Sequence, residues 1–175
     1  NIELIMVDDG STDNSYEIMK KYAKKYENVK IYHFDEKSGS AGRPRNKGIE
    51  MATGKYLMFC DPDDFFSQDA FLNMYNEIEA KNADFIIANW SNADEDGTPW
   101  EKPKFDLERF GKFKLSIDDY NDSFYIMNSS MCNKIFNAEF VKDNEIKCLE
   151  GVPGEDTYFS MTAFLKSKNV YYIPV

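Results

Sequence analysis

The sequence predicts an α/β fold, a three-layer, mostly parallel sheet with helices on both faces. Three observations carry that expectation. Short β-rich apolar runs recur along the chain, segments of helical periodicity stand between them, and acids gather directly after two of the runs.

The elements follow in order. "IELIMV" (2–7) is a β-rich run that ends at Asp8, Asp9 and Gly10. "STDNS" offers helix caps, and Tyr16, Met19, Tyr22, Ala23 and Tyr26 then recur at helical spacing. "VKIYHF" (29–34) is a second strand, followed by a polar loop holding Gly39 and Gly42. "PRNKGIEMA" reads as a short helix closed by Gly54, and "KYLMFC" as the next strand. "DAFLNMYNEIEAK" (69–81) sets Phe71, Leu72, Tyr75 and Ile78 on one helical face, and "DFIIANW" (84–90) is a further strand.

Beyond Trp90 the pattern loosens. Residues 91–114 are polar and punctuated by Gly and Pro, which predicts a long excursion. "MCNKIF" (131–136) reads as a strand and "NAEFVKDN" as a short helix. "EDTYFSMTAFLKSK" (155–168) is an amphipathic helix opened by two acids, and "NVYYIPV" closes as a strand. We expect a single domain over 1–175, with a ligand-binding half in 1–90 and a second half in 91–175.

Composition narrows the function. The 175 residues are 42% hydrophobic and 15% aromatic, enough for a substantial core. The formal charge of -10, without a basic stripe, argues against a nucleic-acid partner. Cys60, Cys132 and Cys148 lack Cys-x-x-Cys spacing, and His33 is the one histidine, so neither a disulfide framework nor a zinc site is expected. No apolar run approaches the roughly 20 residues of a membrane span. A cytoplasmic protein is expected, with room for association at the inner face of the membrane.

In parallel α/β sheets ligands bind at the carboxyl ends of the strands. Asp8 and Asp9 stand at one such end, and Asp61, Asp63 and Asp64 at another. Packed acids repel one another, so either a turn holds them in solvent or a cation sits among them. The first alternative is an Asp-Pro-Asp turn capping the next helix; the second is a hard divalent ion on carboxylate oxygens.

Three stretches in order bear on the sense of these acids. "VDDGSTDNS" (7–15), "RNKGIEMATGKYLMFCDPDDF" (45–65) and "GEDTYF" (154–159) resemble the motifs of the family 2 glycosyltransferases, which have the GT-A nucleotide-sugar fold. The resemblance covers nearly the whole chain. It departs in two places: the family's first strand and loop would precede Asn1, so a fragment lacking that strand is expected, and Pro44 replaces the usual small residue before Arg45-Asn46. "SGSAGRPRN" is more similar to the subgroup that glycosylates polyol-phosphate wall polymers.

The resemblance implies an inverting transfer from a nucleotide diphosphate sugar, by default UDP-linked, to a saccharide or polyol-phosphate acceptor. It implies Mn²⁺ or Mg²⁺ at Asp63, with Asp61 sharing the ion or facing the ribose. Asp9, with Asp8 beside it, would read the uracil, Arg45 would contact the nucleotide, Glu155 would orient the acceptor or its loop, and Asp156 would be the catalytic base. Trp90 and Trp100 are candidates for stacking on a sugar face, whereas His33 reads as structural. An aspartyl-phosphate phosphatase fits less well, because its acid pair normally follows the first strand. An inactive piece that keeps only nucleotide or metal affinity is the other alternative.

Overall fold

The computed structural model describes residues 1–94, 96–98, 113–115 and 127–174. The elements are β1 (Leu4–Asp8), α1 (Ser15–Lys25), β2 (Val29–His33), α2 (Gly42–Met51), β3 (Tyr56–Met58), α3 (Ala70–Lys81) and β4 (Phe85–Ala88), followed by β5 (Phe113–Leu115), β6 (Lys134–Asn137), α4 (Ala138–Asp143), α5 (Glu155–Lys166) and β7 (Val170–Ile173). Each strand and helix expected from periodicity is present within a few residues of its expected limits. β5 is additional and lies in the stretch read as an excursion. Trp100 and the aromatics at 120–125 fall outside the described residues.

Two sheets form. β1 pairs in parallel with β2, and the remaining strands follow the order β3-β6-β4-β7-β5. The larger sheet is mixed: β4 and β7 run parallel, whereas β6 lies antiparallel between β3 and β4, and β5 is antiparallel to β7. The reversal of β6 has a simple origin. The chain leaves β4 at its carboxyl edge and returns along 127–133 at that same edge, where the Ala88 amide donates to the Asn133 carbonyl at 2.8 Å. A strand entering there must run backwards. β3, β4 and β7 keep the common direction expected for them.

Alternation along the central strands gives both sheet faces a core. Phe85 and Ile87 of β4, Phe136 of β6 and Tyr172 of β7 pack with Phe159 and Ala163 of α5 and Ile49 of α2. Ile86, Ala88, Ile135 and Ile173 face the other way, against Met74 and Ile78 of α3. Strands covered on both sides read as continuous apolar runs, as β4 and β7 do. Phe136 and Phe159 are fully buried, with rings 5.3 Å apart and nearly perpendicular; burial of each contributes on the order of 2 kcal/mol. α3 stops where Asn82 turns left-handed at φ 45°, and α4 starts where the Asn137 side chain accepts from the Glu139 and Phe140 amides. Among the described residues no helix is long and apolar enough to cross a membrane.

Candidate active site

Five chain segments converge on the carboxyl edge of the two sheets: the ends of β1, β3 and β4, the approach to β6, and the start of α5. The turn after β1 is held tightly. Gly10 has φ 76°, and a Cβ there would lie 2.7 Å from the backbone of Glu36 and Lys37, so glycine alone lets the two segments meet. Asp8 is buried, accepts from the Ser11 amide at 3.2 Å and pairs with Nδ1 of His33 at 2.6 Å. Burial alone would raise its pKa, but hydrogen bonds from Ser11 and His33 outweigh it and hold the carboxyl below its ordinary range. His33 also stacks on Tyr16, centroids 4.4 Å apart, consistent with its structural reading.

Asp9 faces the loop before α2. Its Oδ2 receives the Ser38 amide and hydroxyl, each at 2.8 Å, and its Oδ1 receives Nε and Nη2 of Arg43 at 3.1 and 2.6 Å. Burial is again outweighed, here by Arg43 and Ser38, and the pKa lies below the ordinary value. The Ser38 hydroxyl has a second acceptor, the Ser40 carbonyl at 2.9 Å. One proton serves two acceptors, so one lone pair of Asp9 can be released without breaking the turn.

Arg43 and Arg45 leave α2 in different directions, since residues two apart on a helix diverge by about 200°. Arg43 reaches Asp9 and lies over the Phe34 ring at 4.0 Å. Arg45 is mostly buried and donates to Asp61 Oδ1 at 2.7 Å and Glu155 Oε1 at 3.1 Å. Burial works against its charge, but Asp61 outweighs it and keeps the guanidinium firmly protonated. The helix is latched in place by Asn46, which bonds both the amide and the carbonyl of Cys148 at 2.8 and 2.9 Å. Gly42 permits the same approach: a Cβ there would overlap the Leu149 carbonyl oxygen, at 1.8 Å.

The turn after β3 supplies the acids. One oxygen each from Asp61 and Asp64 and the Cys132 sulfur lie within 4.8 Å of one another. Burial and the charge of Asp61 push the Cys132 thiol up to about 12, so it is protonated near neutral pH. Hard divalent ions prefer oxygen, and the two carboxylates fit such an ion better than the thiol does. Asp63 is exposed and lines a cavity of about 860 Å³ with Asp64, Phe65, Trp90, Asn92 and Ser130. No cationic side chain is among the described lining residues.

Gly154, at φ 84°, precedes α5, and Glu155 and Asp156 occupy the first turn. Asp156 Oδ1 accepts from the Thr157 amide at 2.8 Å and the residue is partly exposed. A helix N-terminus favours the ionised carboxylate. Phe159 and Ser160, fully buried, fix this turn against the sheet.

Of the residues singled out in the sequence, Arg45, Asp61 and Glu155 form one connected group. Asp8 and Asp9 sit in networks of their own, and Asp63 lines the cavity. Two residues beside these escaped sequence reasoning: Arg43, signalled only by the paired arginines of "GRPRN", and Cys132, which nothing in the local pattern marked.

The family model described as Glycosyl transferase family 2 matches residues 1–142. A poly(ribitol-phosphate) beta-glucosyltransferase of Bacillus spizizenii is 32% identical over 174 residues, covering 96% of this chain and 25% of that protein. The poly(ribitol-phosphate) beta-N-acetylglucosaminyltransferase TarP of Staphylococcus aureus is 31% identical over 183 residues, covering 99% of this chain and 53% of TarP. A crystal structure of S. aureus TarS 1–349 in complex with UDP-GlcNAc superposes with a TM-score of 0.80 at 25% identity, covering 99% of this chain and 49% of that one. The fold is therefore that of the GT-A glycosyltransferases, and the chain belongs to glycosyl transferase family 2. It spans between about a quarter and a half of the length of these relatives.

Proposed function

We propose that this chain carries the donor site and catalytic base of an inverting glycosyltransferase. It moves a sugar from a UDP-linked donor to a hydroxyl of a saccharide or polyol-phosphate polymer in cell-surface polysaccharide synthesis. The observation that carries this reading is Arg45, which joins the acidic turn at Asp61 to the first turn of α5 at Glu155. A diphosphate needs a cationic partner, and the acceptor hydroxyl needs a base; Arg45 ties the segments that supply them.

Asp9 accepts a hydrogen bond from the uracil imide N–H while the Ser38 hydroxyl turns to Ser40. Arg43 holds the Asp9 carboxylate for that contact. Asp61 and Asp64, with Asp63 on the same turn, would hold Mn²⁺ or Mg²⁺, which would supply positive charge opposite the diphosphate leaving group. Asp156 accepts the acceptor hydroxyl proton as the oxygen attacks the anomeric carbon opposite the leaving group, and Glu155, fixed by Arg45, orients the acceptor side. The cavity beyond Asp63 suits an uncharged sugar ring, because its described lining residues offer aromatic and hydroxyl groups and no cation to a phosphate.

The relatives named for poly(ribitol-phosphate) and the complex of TarS with UDP-GlcNAc support the same donor and acceptor classes. The test is turnover: the full-length protein, incubated with Mn²⁺, a panel of UDP-sugars and a ribitol-phosphate polymer, should release UDP and label the polymer. Tight UDP binding with no transfer from any donor would contradict the proposal and identify a binding domain instead.

A further inference from the structure

Lys134 opens β6 in the middle of the larger sheet and is fully buried. A buried ammonium is costly unless it is paired, yet among the described residues no carboxylate lies among its hydrogen-bond partners. Its N–H donors are shared instead among four described oxygens of the preceding segment: the carbonyl and Oδ1 of Asn128 at 3.1 and 2.8 Å, the Ser130 carbonyl, and Asn133 Oδ1 at 3.1 Å. Burial pushes its pKa down to about 7, against the charge of Asp156, which pulls the other way.

The segment so gathered touches the site on several sides. Cys132 lies beside Asp61 and Asp64. Ser130 and Asn133 line the cavity. The Ser129 carbonyl accepts from Oγ of Ser160 at 2.9 Å, and Ser160 lies one turn beyond Asp156 on α5. The Met131 sulfur lies 3.7 Å from that of Cys148, which Asn46 ties to the helix of Arg45. One buried Nζ drawing four described oxygens inward gives this irregular stretch one shape, as no regular hydrogen-bond ladder does.

We infer that Lys134 is a positioning residue: its buried Nζ folds residues 128–133 into the wall that joins the acidic turn to the helix of the catalytic base. The inference rests on the reading of the site given under Proposed function. Lys134 does not touch the substrate and acts through the segment it holds.

The experiment compares wild type with Lys134→Met in the full-length protein, at a temperature where both are folded. Hydrogen exchange should speed up at the amides of 128–133 and stay unchanged in β1 and β2. Transfer should lose about 10-fold or more in kcat per folded molecule, with UDP affinity within a factor of three, a split that a general loss of stability would not give. Unchanged exchange in 128–133, or a kcat within twofold of wild type, would overturn the inference. Should Lys134→Met not fold, Ser160→Ala, which releases the same segment from α5, decides: a threefold or greater fall in kcat supports the inference, and a wild-type kcat overturns it. If wild type itself transfers no sugar, the proposed function falls, and the exchange measurement alone decides the role of Lys134.

Discussion

Arg45 Nη2 lies 2.7 Å from Asp61 Oδ1, and this contact spans the gap between α2 and the acidic turn after β3. Because Nη1 of the same guanidinium holds Glu155, one side chain fixes the relation of the acidic turn to the start of α5. The fork of arginine makes this possible, and lysine cannot reproduce it.

Arg45→Lys should therefore keep a positive charge and lose one of the two partners. We expect UDP affinity to fall by about 10-fold, or roughly 1.4 kcal/mol. The melting temperature should also drop, because Glu155 is left mostly buried without its partner. Isothermal titration with UDP and a thermal melt check both; an unchanged UDP affinity would remove Arg45 from the donor site.

Removing the divalent ion should weaken UDP binding, and substitutions on the acidic turn should mimic that removal. Asp63→Ala and Asp64→Ala alter exposed side chains and should leave the fold intact. Each should reduce the Mn²⁺-dependent part of UDP affinity while leaving the metal-free affinity alone. Cys132→Ser should have little effect on Mn²⁺-dependent binding, since its thiol is protonated at neutral pH. Calorimetry with and without chelator separates these outcomes, and a full Mn²⁺ response in both aspartate variants would refute the assignment.

Uracil recognition at Asp9 predicts selectivity among nucleotides. UDP should bind more tightly than ADP or GDP, and Asp9→Asn should narrow the difference, because an amide can present a donor where the imide needs an acceptor. Arg43→Ala should narrow it as well, since Asp9 then loses two of its hydrogen bonds. Equal affinities for the three nucleotides in wild type would mean that this turn does not read the base.

Lys134 gives the stability of the protein a defined pH dependence. Its pKa is about 7 in the folded chain and 10.5 ordinarily, so between these values the unfolded chain binds more protons. Stability therefore rises with pH above 7, by about 1 kcal/mol from pH 7 to 8 and at most roughly 1.4 kcal/mol per unit beyond, and the gain is absent below 7, where both states are protonated. Between pH 7 and 8 the melting temperature should climb by about 2–4 °C, and in Lys134→Met it should stay flat. Above pH 8 the thiols of Cys132 and Cys148, both pushed up to about 12 by burial, begin to oppose the rise. A falling melting temperature from pH 7 to 8 in wild type would contradict the account.

Much of the fold could be read from the sequence because its central strands are apolar on both faces and its helices repeat at 3.6 residues. The acids at the strand ends were legible for a related reason: Asp8, Asp9 and Asp61 interrupt runs that otherwise belong in the core. What stayed hidden depends on long-range pairing. The reversed direction of β6 follows from where the chain re-enters the sheet, and no local pattern encodes that. Lys134 was missed because a lysine beside apolar residues ordinarily points to solvent, and its partners at 128–133 become visible only once the segment folds back. Arg43 and Arg45 were both present in one motif, but which arginine meets Asp9 is decided by the helix's angular step and its latch through Asn46.

The central claim is that the first turn of α5 carries the catalytic base, and Asp156→Asn tests it most directly. A base acts only in the chemical step, so the variant should bind the UDP-sugar within a factor of a few of wild type while kcat falls by at least about 10²-fold. Asparagine keeps the size of the side chain and can still accept from the Thr157 amide, which controls for a role as a helix-end residue alone. A wild-type kcat in Asp156→Asn, measured in the full-length protein with saturating donor, would contradict the account.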